Sequence, residues 1–348
     1  MRALRVIAPR VVRVQDVAEL TTGPGQLLVN VERVGICGTD VELYTGEMAY
    51  YRSGRTTFPV QLGHEWVGTV AKVGPRVSDS WIGKRVTGDT MLGCNNCPRC
   101  KSGKTYLCDD RVELGITDGW GGALAEQMLI PERFAFEIPA SMSIPTAAMI
   151  EPAGNSLRSV EATQLQADQK LLILGSGTIG LLAAQFALAK NIEVHIAGNR
   201  ESSLHLAREL GATSAYTIAE ISNDLTREYD AVIDASSIDS MPALAIQKVL
   251  PGGRVALIGL SETASLIDTR VPVLQDITVV GILSASPGLQ GAIDYFASGA
   301  VNPESLISEV IGLDEVADRL EGNRGKDAKP GPKIHVDPRI VDSEVTYV

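Results

Sequence analysis

The sequence predicts an α/β protein in two parts, a β-rich part followed by a doubly wound parallel sheet. Three observations support this. The length of 348 residues suits about two domains. The N-terminal part carries short Val-rich runs at 27–34, 66–73 and 82–87, each bounded by Gly, Pro or Asp. From residue 153 onward, strand-like and helix-like segments alternate, which is typical of a parallel sheet with helices on both faces.

The second part divides into elements in a regular order. Compact apolar runs predict strands, and apolar residues at helical spacing predict the helices between them. The strands are expected at 170–174, 192–197, 231–234 and 254–259, and the helices at 178–190 and 202–210. After a Gly/Pro/Lys loop at 326–332, a final strand at 333–336 is expected to return to the first part.

Charge and apolar pattern disfavour several classes of protein. The formal net charge is −11, and a nucleic-acid surface would need clustered Lys and Arg. The N-terminus lacks the apolar core of a signal peptide, and no apolar run is long enough to span a bilayer. We therefore expect a cytoplasmic chain whose partners include neither nucleic acid nor a membrane.

Four of the five cysteines lie in one short segment, at Cys94, Cys97, Cys100 and Cys108. An odd number excludes a full set of disulfides, and clustered cysteines in a cytosolic chain favour a metal. Four thiolates suit tetrahedral zinc, and a closed shell leaves no open position, so this zinc would be structural. An iron–sulfur cluster and reduced, metal-free cysteines are the alternatives.

A glycine-rich turn follows the strand at 170–174. Alone, a G-x-G-x-x-G pattern indicates only a tight turn, but here a strand precedes it and an amphipathic helix follows. The first Gly makes the turn, the second admits a pyrophosphate, and the third lets the helix pack closely. The residues expected to bind a dinucleotide are Gly175, Gly177, Thr178, Ile179 and Gly180.

The end of the second strand of that sheet indicates which dinucleotide. NAD sites usually place an acid there to hold the ribose 2′-hydroxyl, whereas this chain has Gly198-Asn199-Arg200. Neutral Asn199 does not repel a 2′-phosphate, and Arg200 is suited to pair with one. NADP is therefore favoured over NAD. The alternative is that Arg200 is solvated and Glu201 holds the ribose.

A second set of possible metal ligands is spread along the chain. Cys37 lies in Gly35-Ile36-Cys37-Gly38-Thr39-Asp40, His64 in Gly63-His64-Glu65, and Glu151 directly before Pro152. A lone Cys or His is more often a packed core residue. Together, Cys37, His64 and Glu151 form a set suited to a catalytic zinc with one open position.

These motifs, in this order, resemble the zinc-containing medium-chain alcohol and polyol dehydrogenases over nearly the whole chain. The resemblance implies a GroES-like catalytic domain at 1–152, with 290–348 returning to it, and a Rossmann domain at 153–289. It also implies a structural zinc in the four-cysteine loop and a catalytic zinc on Cys37 and His64. Glu151 matches the third position of sorbitol- and glucose-dehydrogenase-like members, where the glutamate binds zinc directly or through water.

The resemblance further implies roles for the neighbours of these ligands. Glu65 matches the family's acid beside the metal, and Asp40 matches the carboxylate that orients the ligand histidine. Thr39 matches the hydroxyl that relays the proton of the alcohol, while the metal acidifies that alcohol and hydride passes to nicotinamide. The chain departs from many members at Glu42, where a histidine usually continues the relay.

The expected activity is hydride transfer between a secondary alcohol and NAD(P), and Glu151 favours polyols, sugars or cyclitols. The main alternative is a catalytically silent zinc- and dinucleotide-binding regulatory protein on the same fold, which the intact set Cys37, Thr39, His64 and Glu151 disfavours. A zinc-ribbon nucleic-acid protein conflicts with the acidic balance and the dinucleotide turn. A zinc-free quinone reductase would lack both cysteine sites.

Three smaller expectations complete the interpretation. Residues 43–60, which include Tyr44, Tyr50, Tyr51 and Arg52, either line the substrate pocket or form a surface loop. The histidines far down the chain are expected to be structural: His195, His205 and His335. Family analogy favours a homodimer or homotetramer that acts on a small molecule.

Overall fold

The computed structural model describes residues 1–224 and 226–341 of the chain. The chain divides into two compact units. The first unit contains Met1–Glu151, Ile307–Lys329 and the segment that begins at Lys333, and the second contains Pro152–Leu306 with Pro330–Pro332.

The first unit is built mainly from strands. Up to residue 151 these are β1 (Arg2–Ala8), β2 (Val11–Asp16), β3 (Gln26–Ile36), β4 (Glu65–Val73), β5 (Arg85–Gly88), β6 (Met91–Leu92), β7 (Val112–Glu113), β8 (Gln127–Pro131) and β9 (Ala135–Glu137). The helices that begin there are α1 (Gly38–Thr45), α2 (Ala49–Ser53), α3 (Pro98–Lys101), α4 (Ile144–Ala147) and α5 (Ile150–Thr163). Short 3-10 turns lie at Asp79–Trp81, Thr105–Leu107 and Glu132–Phe134.

The second unit alternates strands with helices. Its strands are β10 (Lys170–Leu174), β11 (Glu193–Gly198), β12 (Ser214–Thr217), β13 (Tyr229–Asp234), β14 (Val249–Leu257) and β15 (Thr278–Gly281). Its helices are α6 (Thr178–Ala189), α7 (Glu201–Glu209), α8 (Ile218–Asn223), α9 (Met241–Lys248), α10 (Arg270–Leu274) and α11 (Leu289–Ala297), with 3-10 turns at Ser286–Gly288 and Glu304–Leu306. The chain then forms β16 (Ile307–Ile311), a 3-10 turn at Leu313–Glu315, α12 (Val316–Leu320) and β17 (Lys333–Val336) in the first unit.

The main sheet of the first unit brings distant parts of the sequence together. Its strands run in the order β16-β17-β3-β4-β5-β9, with β8 also paired to β3. In the register of this sheet, Gly35 on β3 is paired with Glu65 on β4 and with His335 on β17. A core that includes Leu27, Val29, Trp66 and Ile334 packs against the sheet. The sheet therefore places the carboxyl end of β3, the start of β4 and the C-terminal strand β17 side by side.

The sheet of the second unit is parallel throughout its described strands, in the order β12-β11-β10-β13-β14-β15. The first strand, β10, lies in the middle, and the chain builds outward in one direction and then in the other. This confirms the predicted doubly wound sheet beside a β-rich domain. The two edge strands, β12 and β15, were not among the strands expected from the sequence. The strand β12 is short and polar at both ends, so it carries no apolar run, whereas β15 lies in an apolar run at 277–283 that was not among the predicted strands.

Two of the three strands predicted in the first unit form as β3 and β4, but the third, predicted at 82–87, begins later than expected. The expected strand at 82–87 begins only at Arg85, because Ser78 accepts the Ser80 N–H and caps the 3-10 turn at Asp79–Trp81. Gly83 then adopts φ +81°, which interrupts extended backbone.

The expected return to the first unit at residue 290 requires a correction, because the chain returns at Ile307. Residues 290–306 include most of α11, whose rings pack on Phe186 of α6. The ring centroids of Tyr295 and Phe296 lie 5.2 and 6.3 Å from that of Phe186. The helix is thus held in the second unit by aromatic packing that its sequence position does not reveal. Residues 342–348 of the expected return lie outside the described part of the chain.

The final strand forms where it was predicted, at Lys333–Val336, and pairs antiparallel with β3. Among the helices that the structure describes, none is both long and apolar enough to cross a membrane.

Candidate active site

Cys37 lies at the junction between β3 and α1. It caps the N-terminus of α1 in an extended conformation, with φ −128° and ψ 179°. Oδ2 of Asp40, in the first turn of α1, accepts a hydrogen bond from the backbone N–H of Cys37 at a distance of 2.9 Å. A carboxylate at this position satisfies a free N–H of the helix terminus. The local sequence therefore fixes the Cys37 thiol at the end of the central strand.

His64 directly precedes β4. The preceding Gly63 has φ +103°, and a Cβ added to it would lie 2.6 Å from the Leu124 amide nitrogen, so a larger residue does not fit. Because β3 and β4 are antiparallel, the end of one strand lies beside the start of the other. This brings His64 Nε2 to 3.2 Å from Cys37 Sγ.

Asp40 connects these two side chains. While its Oδ2 binds the Cys37 amide, its Oδ1 lies 3.7 Å from His64 Nδ1. Asp40 Oδ1 and His64 Nδ1 are both buried, and neither has a hydrogen-bond partner among the described residues. A ligating histidine usually has its second ring nitrogen bound by a carboxylate, and Asp40 is placed to do this after a small movement.

Glu65 completes the local donor group. One of its carboxylate oxygens, Cys37 Sγ and a His64 ring nitrogen all lie within 4.8 Å of one another. Glu151 is not part of this group, although it is buried in the first turn of α5. Its negative charge nevertheless helps to raise the pKa of His64, so it lies near the histidine.

Lys333 was not predicted as part of the site. Its Nζ donates to Glu65 Oε2 at 2.6 Å and to the Ile36 carbonyl at 3.0 Å, and only 2 % of its side chain is exposed. Gly35 leaves room for this pair, since a Cβ there would lie 2.1 Å from Glu65 Oε2. The only sequence signal was a charged residue at the start of the predicted C-terminal strand.

The electrostatics of the group reflect dense buried charge. Burial by itself lowers the pKa of His64, but the charges of Cys37, Asp40 and Glu151, with the hydrogen bond to Cys37, together raise this pKa well above its usual value. Burial raises the pKa of Cys37, and the nearby His64 opposes that shift. A thiol, an imidazole and buried carboxylates around one point are a donor set that fits a zinc ion.

The four-cysteine loop also has the geometry of a metal site. The sulfur atoms of Cys97 and Cys108 lie 3.8 Å apart, and two sulfurs bound tetrahedrally at ~2.3 Å from one zinc are separated by about the same distance. The backbone N–H groups of Cys94, Cys97 and Cys100 each point at a sulfur atom of the group, with a nitrogen–sulfur distance of 3.4 Å. All five cysteines of the chain are free thiols, and the four sulfur atoms of the loop lie within 4.8 Å of one another.

The glycine turn has the backbone that dinucleotide binding requires. Gly175 has φ +113°, and a Cβ on Gly180 would lie 1.8 Å from the Gly175 carbonyl oxygen, so the helix packs directly on the turn. Gly177 caps the N-terminus of α6, and a Cβ added to it would meet no described atom within 4 Å. The turn is therefore open where a phosphate would approach the helix N-terminus. Thr178 and Ile179 form the first turn of that helix.

The end of β11 lies against this turn. A Cβ on Gly198 would lie 2.0 Å from Ser176 Oγ, so the two segments touch. Asn199 and Arg200 follow and are exposed, with Arg200 at the N-cap of α7. The carboxylate of Glu201 accepts a hydrogen bond from Arg208 at 2.8 Å. Glu201, the alternative ribose-binding residue, therefore already pairs with the side chain of Arg208.

The segment 43–60 is not a single loop, since it contains the end of α1 and all of α2. Tyr44 and Tyr50 bind acidic side chains outside the segment, whereas Tyr51 binds within it. The Tyr44 hydroxyl binds Glu321, the Tyr51 hydroxyl donates to the Leu43 carbonyl, and the Tyr50 hydroxyl binds Glu113. Arg52 is exposed. Thr39 lies half-buried on α1, between Cys37 and Asp40.

The three remaining histidines lie outside the Cys37 and His64 group. His195 Nε2 lies 2.8 Å from Glu193, and His205 Nε2 lies 3.3 Å from Glu209 one helical turn away. His335 is completely buried next to Lys333 on β17, and burial lowers its pKa well below the usual value.

Comparison with known proteins gives the class of this chain. Residues 23–140 match the family model of the alcohol dehydrogenase GroES-like domain, and residues 178–298 match that of the zinc-binding dehydrogenases. The fold and the site therefore define a dehydrogenase with a GroES-like and a Rossmann domain. The chain belongs to the zinc-containing medium-chain alcohol and polyol dehydrogenase family.

Individual relatives agree with this assignment. The chain is 31 % identical to an L-threonine 3-dehydrogenase of Vibrio cholerae over 277 residues, which cover 77 % of this chain and 78 % of the relative. A zinc-binding dehydrogenase structure from Sinorhizobium meliloti, bound to NADP, is 30 % identical with a TM-score of 0.87. An alcohol dehydrogenase structure from Escherichia coli, with NADH, is 25 % identical with the same TM-score of 0.87. Both comparisons cover 97 % of this chain and 99 % of the other.

Proposed function

We propose that this alcohol dehydrogenase is zinc-dependent and moves hydride between a secondary alcohol of the polyol, sugar or cyclitol class and NADP. The observation that carries the proposal is the 3.2 Å approach of Cys37 Sγ and His64 Nε2, with Asp40 behind the histidine. Cys37 and His64 would hold a catalytic zinc, with Glu151 as the third ligand, directly or through water. When bound, zinc supplies a Lewis acid and NADP accepts the hydride.

The chain's own residues orient the ligands and move the proton. Asp40 holds the Cys37 end of α1, and after a small movement its Oδ1 would accept a hydrogen bond from His64 Nδ1, which leaves Nε2 for the metal. The Thr39 hydroxyl accepts the alcohol proton and passes it toward solvent. Glu65 belongs to the donor group and would stand beside the metal, and its charge is balanced by Lys333. Glu151 in place of a third cysteine favours a substrate with several hydroxyls.

A second zinc would stabilise the fold. Cys94, Cys97, Cys100 and Cys108 surround one point and leave no open position, so this zinc would be structural. The sulfur–sulfur distance of 3.8 Å between Cys97 and Cys108 supports this assignment. Because the ligands must be thiolates, the site requires reducing conditions, which agrees with a cytoplasmic enzyme.

The enzyme is further proposed to form homodimers or homotetramers. In the second unit, β15 is an edge strand of the parallel sheet, and large apolar side chains on this strand and in the chain segments before and after it are exposed. These exposed side chains are Leu266, Val273, Leu274, Val279 and Leu283. An exposed edge strand flanked by apolar side chains is a typical site of association between copies. Sedimentation analysis would give the number of chains.

A spectrophotometric screen of the purified, zinc-loaded enzyme tests the proposed activity. Polyols, aldoses, cyclitols and amino alcohols are each offered with NAD and with NADP, and formation of reduced nicotinamide is followed. Turnover of at least one polyol, sugar or cyclitol is expected, and it should disappear in Cys37→Ser. If no member of the panel is oxidised with either cofactor, the proposal is wrong and the catalytically silent alternative is favoured.

A further inference from the structure

The C-terminal strand β17 carries polar side chains on one face. Its other residues, Ile334 and Val336, belong to the hydrophobic core of the first unit. Because side chains alternate along a strand, Lys333 and His335 lie together on the opposite face. Both are buried, Lys333 at 2 % and His335 at 0 % exposure. Lys333 pairs with Glu65, whereas His335 is a buried titratable group that the proposed reaction does not use.

Neither ring nitrogen of His335 has a hydrogen-bond partner among residues 1–224 and 226–341. The strand register gives the reason. His335 is paired with Gly35 on β3 and with Val310 on β16. Gly35 has no side chain and that of Val310 is apolar, so the two opposed residues offer the ring no side-chain donor or acceptor. The imidazole is thus enclosed in the first unit without a neighbour on either strand that would stabilise its charged form.

The acidic side chains on the neighbouring strands and directly after β17 each pair with a cation. The pairs are Glu65 of β4 with Lys333, Asp337 with Arg33 of β3 and with Arg339, and Glu309 of β16 with Arg319. Each of these carboxylates therefore already compensates another charge. A proton on His335 would add a buried positive charge that none of them is free to balance, and an uncompensated buried charge is strongly unfavourable.

Burial and the nearby cations keep the ring of His335 neutral. Burial is the largest cause that lowers its pKa well below the usual value, and the charges of Lys333 and Arg33 lower it further. In an unfolded segment, a histidine takes up a proton near pH ~6.5. Below this pH an open form of β17 therefore binds one proton more than the folded form, and its population rises as the pH falls. The pairing of β17 is thus most stable above the unfolded pKa and weakens as the solution becomes more acidic.

We propose that His335 is an acid-sensitive switch in the pairing of β17 with β3. In mild acid the protonated ring stays in solvent, which holds the strand away from Gly35. Lys333 lies on the same strand, so the same opening removes the cation from Glu65, the residue that follows His64. Acidity is thereby transmitted from the C-terminal strand to the start of β4. The switch does not depend on which alcohol or which dinucleotide the enzyme uses.

Hydrogen exchange of the full-length, zinc-loaded protein tests the switch. Exchange of the β17 amides is followed by mass spectrometry at about pH 7.5 and about pH 5.5, on either side of the usual histidine pKa, and is corrected for the intrinsic rates. The opening equilibrium constant should rise about tenfold between the two conditions, as for one histidine that titrates only in the open form. His335→Leu removes the titrating ring and should abolish this rise. His205→Gln is the matched control, because His205 is an exposed histidine, and it should respond like the wild type.

Zinc content, measured in each sample, separates the switch from acid release of the metal. Opening of β17 in the wild type while zinc is retained supports the switch. Opening only in samples that have lost zinc would overturn it, because the metal ligands would then be the groups that titrate. An acid response of His335→Leu equal to that of the wild type would overturn it as well. If His335→Leu does not fold, His335→Gln replaces it, because its amide is uncharged at both pH values and should also abolish the rise.

Discussion

Lys333 Nζ lies 2.6 Å from Glu65 Oε2, although 268 residues separate the two in the chain. Both side chains are almost completely buried, with 2 % and 3 % exposed. Burial lowers the pKa of Lys333, but the charges of Glu65, Cys37 and Asp40, together with the hydrogen bond to Glu65, outweigh burial and raise it. The ion pair therefore ties the C-terminal strand to the residue that follows His64.

Loss of this lysine should destabilise the protein strongly. Lys333→Met leaves the Glu65 carboxylate buried without its cation, and breaking a buried pair on one side typically costs about 3–5 kcal/mol. Urea unfolding should show this loss in the free energy of unfolding. The double variant Lys333→Met with Glu65→Gln removes the orphaned charge and should recover a large part of it. If the double variant is no more stable than the single one, the pair does not interact as described.

The metal content should distinguish two sites. Elemental analysis of freshly purified protein should find about two zinc per chain, with the zinc of the four-cysteine loop harder to strip because its shell is closed. Cys97→Ser should lose that zinc and much of the stability. Cys37→Ser should lose the other zinc and the activity while the circular dichroism spectrum stays close to that of the wild type. Wild-type activity in Cys37→Ser would contradict its assignment as a ligand.

The proposed proton relay predicts different effects for two substitutions of Thr39. Thr39→Val removes the hydroxyl and should lower kcat by about 10²–10⁴-fold, the usual range for a general acid–base step. Thr39→Ser keeps the hydroxyl and should have little effect. Zinc content is the control and should be the same in both variants. Equal damage from the two substitutions would indicate packing rather than proton transfer.

Local motifs explain why much of the site could be predicted from the sequence. Cys37 and Asp40 lie on one helical turn, and the glycines of the 175–180 turn act through their own backbone. Four cysteines in a segment of 15 residues (94–108) can converge on one point whatever the rest of the fold does. Such groups depend on spacing along the chain, which the sequence shows directly.

The parts that could not be predicted depend on strand register. Lys333 reaches Glu65 only because β17 and β4 both pair with β3 at Gly35. A shift of one residue in either pairing would turn these side chains to the other face. The return of the chain at residue 307 instead of 290 likewise depends on tertiary contacts of α11.

The residues after β11 predict that the enzyme prefers NADP to NAD. Asn199 and Arg200 follow β11 where it touches the glycine turn, and neither repels a 2′-phosphate. Arg200 can pair with phosphate oxygens through its planar guanidinium. We expect a higher kcat/KM with NADP than with NAD, by about tenfold to a hundredfold for one charge-assisted contact. Arg200→Ala should weaken NADP more than NAD, and Asn199→Asp should reverse the preference.

The matched control for this prediction is Arg208, which binds the Glu201 carboxylate at 2.8 Å in the wild type. Arg208→Ala releases Glu201, an acid that could replace the missing ribose-binding carboxylate. It should therefore shift the preference toward NAD without touching Arg200. Initial rates over a concentration series of each cofactor measure all three variants and the unmodified enzyme. A clear preference of the unmodified enzyme for NAD would show that Arg200 is solvated and that the ribose is held without a 2′-phosphate, while the dehydrogenase assignment would stand.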